Sequence, residues 1–312
     1  MNLKRLEFTL TKKCNSQCIH CQAEASPSRK GVMETREGCN YLTEAVAVSK
    51  LESFMIFGGE SMLYPERAIA IFERAHQLRI PRIELITNGV WGRSKKMAEK
   101  LAMKLKAAGV NEVNMSVDAF HLQYIPLEYP LNAAMASVKA GIEKVTWNVA
   151  IMESLAAENE YDSRTAQILK KLEFTGLPVS PVNIMLMGRA ALNLHQFFQV
   201  TSVDGACVGD SIIGNPLKEP ESICIEPDGS VDVCWHLRIG NAKEMPLSRI
   251  IMDYDWRKNP IIEILVREGP VGLRRLLKEN KHSFQEDKDI SKCHFCVEIR
   301  KALKRFYPDA YS

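Results

Sequence analysis

The sequence predicts an α/β fold: a partial (β/α)6 barrel of parallel strands followed by a small cysteine-rich C-terminal module. Short apolar or alternating runs recur along the first two thirds of the chain, with helical patterns between them. Polar motifs fall where four successive strands should end. After about residue 190 the alternation stops, and an Asp-Gly hairpin and a set of late cysteines take its place.

In chain order, strands are expected near 5–11, 53–57, 82–86, 111–117, 145–152 and 178–187, with helices near 36–50, 65–78, 94–108, 131–143 and 163–173. The third helix opens at Ser94, a good N-cap, and closes at Gly109. Strands alternating with helices imply parallel pairing through right-handed crossovers, curled or closed into a barrel. Residues 223–234 read as a hairpin turning at Asp228-Gly229, residues 259–280 as helical, and a last charged helix is expected after Cys296. The expected division is a core over 1–195 and a module over 196–312.

Composition narrows the function classes. The chain has 312 residues, 46% hydrophobic and 25% charged, with 41 basic and 38 acidic residues interspersed to give a net charge of +3. There is no basic stripe for nucleic acid, so no nucleic-acid partner is expected. No run of 18 apolar residues suggests a membrane span, and the start leads straight into a strand without a secretory pattern. Nine cysteines in such a chain point to thiols used for metal binding or catalysis in a reducing, cytoplasmic setting.

The strongest motif is Cys14-x3-Cys18-x2-Cys21, just after the first strand. Nine cysteines placed at random in 312 residues would produce this spacing with a probability of roughly 0.007. Three thiolates on one loop can hold three irons of a cubane and leave the fourth iron open; the alternative is a zinc loop completed by His20. Phe57-Gly58-Gly59-Glu60 ends the second strand, where two glycines allow a close backbone approach and a carboxylate can meet an ammonium group. Thr87-Asn88-Gly89 and Ser116-Val117-Asp118 end the next two strands, at the carboxyl edge where barrels bind ligands.

A second set comprises Cys207, Cys224, Cys234, Cys293 and Cys296, with Cys224 and Cys234 flanking the hairpin and the last two forming a C-x2-C pair. Four such thiolates suit either a second iron–sulfur cluster or a structural zinc. Cys234, Cys293 and Cys296 are the firmest ligands. The fourth is Cys224, on the hairpin, or Cys207, before a Gly-Asp loop. Cys39 lies in a helical stretch and reads as a small buried hydrophobe.

The Cys14/Cys18/Cys21 spacing followed by a Gly-Gly-Glu strand end resembles the radical S-adenosylmethionine (SAM) superfamily, over residues 5 to about 190. The resemblance implies a [4Fe–4S] cluster whose open iron chelates SAM, with Gly58, Gly59 and Glu60 at the methionyl amino group. It places Ser116 and Asp118 near the ribose and methionyl carboxylate, Asn88 among the cofactor-binding residues, and His20 at the position, usually aromatic, that packs near adenine. It also implies reductive cleavage of SAM to a 5′-deoxyadenosyl radical that abstracts hydrogen from substrate, and an external reductant such as flavodoxin or ferredoxin. The late cysteines look like the twitch and SPASM modules that carry auxiliary [4Fe–4S] clusters.

Asn88 to Lys96, Ser116 to His121, the Arg267-Glu268-Gly269 helix and the C-x2-C pair are similar in order to radical SAM peptidyl epimerases. Those enzymes return a hydrogen atom from a cysteine beside the hairpin ligand. Here Trp235 follows Cys234, which leaves cross-linking or oxidation of a peptide as open as epimerisation. Asp118, His121 and Arg189 are candidates for the substrate cavity. A small-molecule biosynthetic substrate, and a non-catalytic iron–sulfur or zinc protein, are the competing readings.

Overall fold

Side chains that alternate between an apolar and a polar face organise the strands. The computed structural model describes residues 1–199, 202–207, 216–280 and 291–307. It places β1 at Arg5–Thr11, β2 at Ser53–Gly58, β3 at Arg82–Thr87, β4 at Glu112–Ser116, β5 at Lys144–Ile151 and β6 at Val179–Asn183. Between them run α1 (Thr35–Val48), α2 (Pro65–Gln77), α3 (Lys95–Ala107), α4 (Glu128–Lys139) and α5 (Glu160–Lys170). These elements fall close to their expected positions. On β5, Val145, Trp147, Val149 and Ile151 are buried in the main core, while Thr146, Asn148 and Ala150 line internal cavities. That is the two-residue period of a strand with two different faces.

Aromatic contacts tie the layers together. Phe8 of β1 meets Phe54 of β2 edge-on at 4.9 Å, and Phe54 meets Phe72 of α2 at 6.0 Å. The six strands are parallel in the order β6-β5-β4-β3-β2-β1, and the sheet then continues through β7 (Ser222–Ile225), β8 (Ser230–Cys234) and β9 (Leu237–Asn241). β7 runs parallel to β1, with Glu7 opposite Cys224, and β8 and β9 are antiparallel.

The hairpin expected at Asp228-Gly229 is therefore the far end of the barrel's own sheet. Both the sheet and the main core, which includes Ile223, Val231 and Ile261 beside Phe8 and Phe54, run across the boundary expected at 195/196. The physical reason is the open edge of β1. An unclosed barrel leaves unpaired N–H and C=O groups there, and β7 supplies partners.

The C-terminal helices are α6 (Gly188–Leu194), α7 (Leu247–Met252), α8 (Pro260–Glu268), α9 (Pro270–Glu279) and α10 (Lys292–Leu303). Two expectations change here. The helical stretch at 259–280 is broken at Gly269, whose φ of +76° favours glycine and whose missing Cβ would lie 1.9 Å from the Gly205 carbonyl oxygen. The last helix does not follow Cys296 but contains both Cys293 and Cys296 in its first turns, capped by the Ser291 hydroxyl.

A feature the sequence did not announce links the amino ends of the strands. Arg5 bridges Glu84 at 2.6 Å, Arg82 bridges Glu112 at 2.9 Å, and Lys144 bridges Glu112 at 3.0 Å. Charges at the first positions of β1, β3, β4 and β5 thus ring that end of the barrel and line the cavity within it. No helix among the described residues is long and apolar enough to cross a membrane.

Candidate active site

The loop carrying Cys14, Cys18 and Cys21 leaves β1 and is fastened to the end of β2. Gly59 N–H donates to Thr11 O at 2.7 Å and Glu60 N–H to Lys13 O at 2.9 Å. A Cβ on Gly59 would lie 2.2 Å from Lys13 O, and Gly58 sits at φ +127°. The two glycines thus let two backbones approach, which sets where the cysteine loop stands.

Glu60 is fully buried, and its carboxylate is used inside the protein. It accepts hydrogen bonds from Met62 N at 3.0 Å, Thr87 Oγ1 at 2.7 Å and Asn88 N at 2.7 Å. Burial raises its pKa even against these donors. The side chain joins the end of β2 to the end of β3 and stands behind the cavity wall, whereas Gly58 and Gly59 are in that wall.

The cavity holds about 270 Å3. It brings together Cys14, Cys18, Cys21, His20, Gly58, Gly59, Asn88, Ser116, Asp118, His121 and Arg189, from segments spread over more than half of the chain. Burial pushes the Cys14 thiol up to about 11 and Cys18 higher still, and the charge of neighbouring cysteines adds to both shifts. Three thiolates here require a cationic partner, which the irons of a [4Fe–4S] cluster supply. Backbone N–H of Ser16 at 3.4 Å and the Asn88 amide at 3.7 Å both point at Cys14 Sγ, as donors that steady a ligating thiolate.

His20 packs beside Phe120 at 4.7 Å and His121 at 4.9 Å. Burial pushes it down to about 3, so the imidazole is neutral, and its buried Nδ1 has no hydrogen-bond partner in the protein. A flat, uncharged ring with one unmet polar atom fits a heteroaromatic ligand.

Asp118 and Arg189 have their polar atoms engaged within the protein. The buried Asp118 carboxylate accepts from the backbone N–H of Phe120, His121 and Ala150, each at 3.0 Å, and from His121 Nδ1 at 2.8 Å. Burial alone would raise its pKa, but the His121 charge and hydrogen bond hold it below the usual carboxylate range. Burial would lower His121, and Asp118 holds it above its ordinary value. Arg189 donates from Nε to Cys18 O at 2.9 Å and from its terminal nitrogen to Ala25 O at 2.7 Å. These two residues position the loop and the His121 ring. His121 itself, with 19% of its side chain exposed, faces the cavity.

A second cavity of about 620 Å3 fills the barrel interior. Gln22, Phe57, Ile86, Asn148, Val182 and Trp235 line both cavities, so these form the waist between them. None was singled out from sequence as a cavity residue; the alternation of β2, β3 and β5 was the available signal. Cys224 faces this larger cavity, with Sγ 3.5 Å from Thr9 Oγ1, and burial pushes its thiol far up.

Cys207 stands elsewhere. Its backbone N–H donates to Leu265 O at 2.8 Å, and Lys292, next to Cys293, donates to the carbonyls of Asp204 and Ala206. The Gly-Asp loop after Cys207 lies outside the described residues. Arg300 of α10 bonds the carbonyls of Trp235 and Cys296 at 2.6 and 3.2 Å, which holds α10 against the Cys234 turn.

The fold and site define a class: an open parallel α/β barrel with three thiols on the loop after its first strand. Residues 8–152, a little under half of the chain, match the model of the Radical SAM superfamily. That superfamily consists of enzymes that use a [4Fe–4S] cluster and SAM.

The chain is similar to "Probable GTP 3′,8-cyclase" of Methanocaldococcus jannaschii, at 33% identity over 119 residues, or 38% of each protein. It is similar to "Putative peptide biosynthesis protein YydG" of Bacillus subtilis at 22% identity, over 98% of this chain and 95% of that one. Its fold is shared with the solved structure described as "Native anSMEcpe with bound AdoMet and Cp18Cys peptide", at a TM-score of 0.53 and 13% identity, covering 99% and 98% of the two chains.

Proposed function

We propose that this chain is a radical SAM enzyme that modifies a peptide and carries an auxiliary [4Fe–4S] cluster. The observation that carries the reading is the union of the cofactor cavity with a lumen more than twice its volume across one shared waist. The larger cavity also offers polar atoms with no partner in the protein, Thr146 Oγ1 on β5 and Asp232 Oδ1 on β8, both on residues more than nine-tenths buried. Amide groups of an extended peptide would satisfy them. The likeness to YydG, which spans the late cysteines, supports a peptide; the likeness to the M. jannaschii cyclase covers 38% of the chain.

When bound, the cluster and SAM supply a radical able to take a hydrogen atom from an unactivated C–H bond. The residues of this chain do the rest. Cys14, Cys18 and Cys21 hold the cluster; Gly58 and Gly59, His20, Asn88 and Ser116 form the SAM pocket. Asp118 fixes His121, and Arg189 fixes the cysteine loop. Phe57, Ile86, Val182 and Trp235 line the waist through which substrate meets the radical. Cys207, Cys234, Cys293 and Cys296 form the auxiliary ligand set: Lys292 ties the Cys207 stretch to α10 and Arg300 ties α10 to the turn after Cys234, whereas Cys224, which lines the lumen as Cys234 also does, lies against Thr9 of β1.

The lumen position of Cys224 favours epimerisation over cross-linking. Its S–H gives a hydrogen atom to the substrate carbon, and the resulting sulfur radical regains one electron from the external reductant and one proton from solvent.

Anaerobic reconstitution tests the reading. About eight irons per chain supports two cubanes, and about four leaves the late cysteines to zinc. Failure of reduced protein to form 5′-deoxyadenosine from SAM would overturn the assignment. With candidate peptides in D2O, epimerisation requires one solvent deuterium in the product, and Cys224→Ser should remove it while 5′-deoxyadenosine still forms.

A further inference from the structure

A third cavity, of about 530 Å3, opens between the loop after Cys21, the β7–β8 hairpin and α10. Its lining includes Lys12, Arg29, Lys30, Arg238, Lys301 and Lys304, with Arg300 in the wall. These seven cationic side chains face four carboxylates, and three of the four are bridged internally. Lys12 holds Glu226 at 3.1 Å, Arg238 holds Asp228 at 3.5 Å and Arg29 approaches Glu24 at 3.7 Å. Arg29, Lys30, Lys301 and Lys304 are exposed, with Lys301 paired to Glu298 of the same helix at 2.7 Å. In a chain whose charges are otherwise nearly balanced, this is a local positive surface.

The walls of this groove are fastened to the cysteine-bearing backbone. Cys14 N–H donates to Ser26 O at 3.1 Å, and Glu24 N–H to Cys21 O at 3.4 Å. On the other wall, Arg300 bonds the carbonyl of Cys296 and those of Trp235 and His236, next to Cys234. One positive surface therefore borders both proposed cluster sites.

We propose that this groove docks the enzyme's electron donor, a small acidic one-electron carrier protein of the flavodoxin class. In each encounter the carrier is oxidised by one electron and a cluster behind the groove is reduced by one. The inference rests on the reading of the chain as a radical SAM enzyme. Such encounters use small, polar interfaces steered by opposite charge, which this surface offers. An acidic stretch of a peptide substrate fits less well. What the groove shares with the lumen is Glu226, Asp232 and His236, and none of these three is a lysine or arginine that would draw an acidic chain inward.

The test uses the reconstituted full chain, purified flavodoxin and the triple variant Lys30→Glu, Lys301→Glu, Lys304→Glu. Biolayer interferometry should show flavodoxin binding that weakens as salt rises from about 50 to about 300 mM. The triple variant should bind at least about tenfold more weakly. Carbodiimide cross-links should join flavodoxin carboxylates to Lys30, Lys301 or Lys304. Flavodoxin-driven 5′-deoxyadenosine formation should fall in step, while the dithionite-driven rate stays unchanged and shows that the variant folds.

Unchanged flavodoxin affinity in the variant would overturn the proposal. So would a variant that loses dithionite-driven peptide turnover but keeps flavodoxin binding, which would make the groove a peptide site. If wild-type protein fails to cleave SAM even with dithionite, the enzymatic reading fails, and the binding and cross-linking results still decide the docking surface.

Discussion

The two cysteine sites are built in opposite ways. The first comes from one loop of eight residues, Cys14 to Cys21, held by the ends of β1 and β2 and by Arg189. The second is proposed to draw on three segments: the stretch ending at Cys207, the β8 terminus at Cys234, and the first turns of α10. A local site needs only correct spacing and a scaffold. A dispersed site needs the whole C-terminal region packed before its thiols meet, so its assembly costs more loop-closure entropy. Damage to the first should abolish chemistry with little change in fold; damage to the second should spread.

The largest expected effect is on the first site. Cys14→Ala should reduce 5′-deoxyadenosine formation to background, measured by chromatography, and lower iron to about four per chain. Cys296→Ala should lower iron to a similar value but leave cleavage of SAM measurable. If both variants lose cleavage equally, the two sites are not separable as proposed.

Two glycines test the scaffolds. Gly59→Ala pushes a methyl group toward Lys13 O, and Gly269→Ala pushes one toward Gly205 O, against backbone in both cases. Each should cost about 2–4 kcal/mol in denaturant unfolding. The first should deplete iron from the SAM site and the second from the late cysteines. The reverse distribution, read by iron count in backgrounds lacking the other cysteine set, would break the comparison.

The Asp118–His121 pair adds a pH dependence. Asp118→Ala leaves three backbone N–H groups without their acceptor and should cost about 3–5 kcal/mol. His121 has a raised pKa in the folded protein, so its contribution is complete below its unfolded value of about 6.5 and is lost as pH climbs through the folded value. Asp118 is depressed, so its contribution is present above its unfolded value of about 3.9 and is lost as pH falls through the folded one. His121→Gln should therefore flatten stability from pH 6.5 upward. An unchanged pH profile in denaturant melts would show that the pair does not titrate.

The smallest effect is expected from Thr146→Val. Its hydroxyl has no partner in the protein, so folding stability should shift by less than about 1 kcal/mol, while KM for a peptide rises and kcat holds. A stability loss larger than that would mean the hydroxyl serves the fold.

Much of this was legible in the sequence. The six barrel strands and five intervening helices follow from two periodicities, and the C-x3-C-x2-C loop from spacing alone. What was not legible depended on contacts between distant segments. Glu60 reads as a ligand-facing carboxylate in Gly-Gly-Glu, yet it bonds Thr87 and Asn88, because the end of β3 lies beside the end of β2. Arg189 reads as a cavity residue and lines the cavity, but its bonds to carbonyls of the cysteine loop 171 and 164 positions away could not be read from the sequence. Trp235 was noted only as the residue standing where a cysteine was sought, and it lines both cavities.

By itself the sequence determined the alternating elements and the three-thiol loop, because strand period, helix period and close cysteine spacing are local properties of the chain. Only the tertiary structure decided that the late hairpin completes the barrel's sheet, that Cys224 faces the lumen while Cys207 lies near α10, and that scattered lysines and arginines share one groove. Those outcomes depend on which faces pack together, since burial of a common core brings side chains into contact without regard to their distance along the chain.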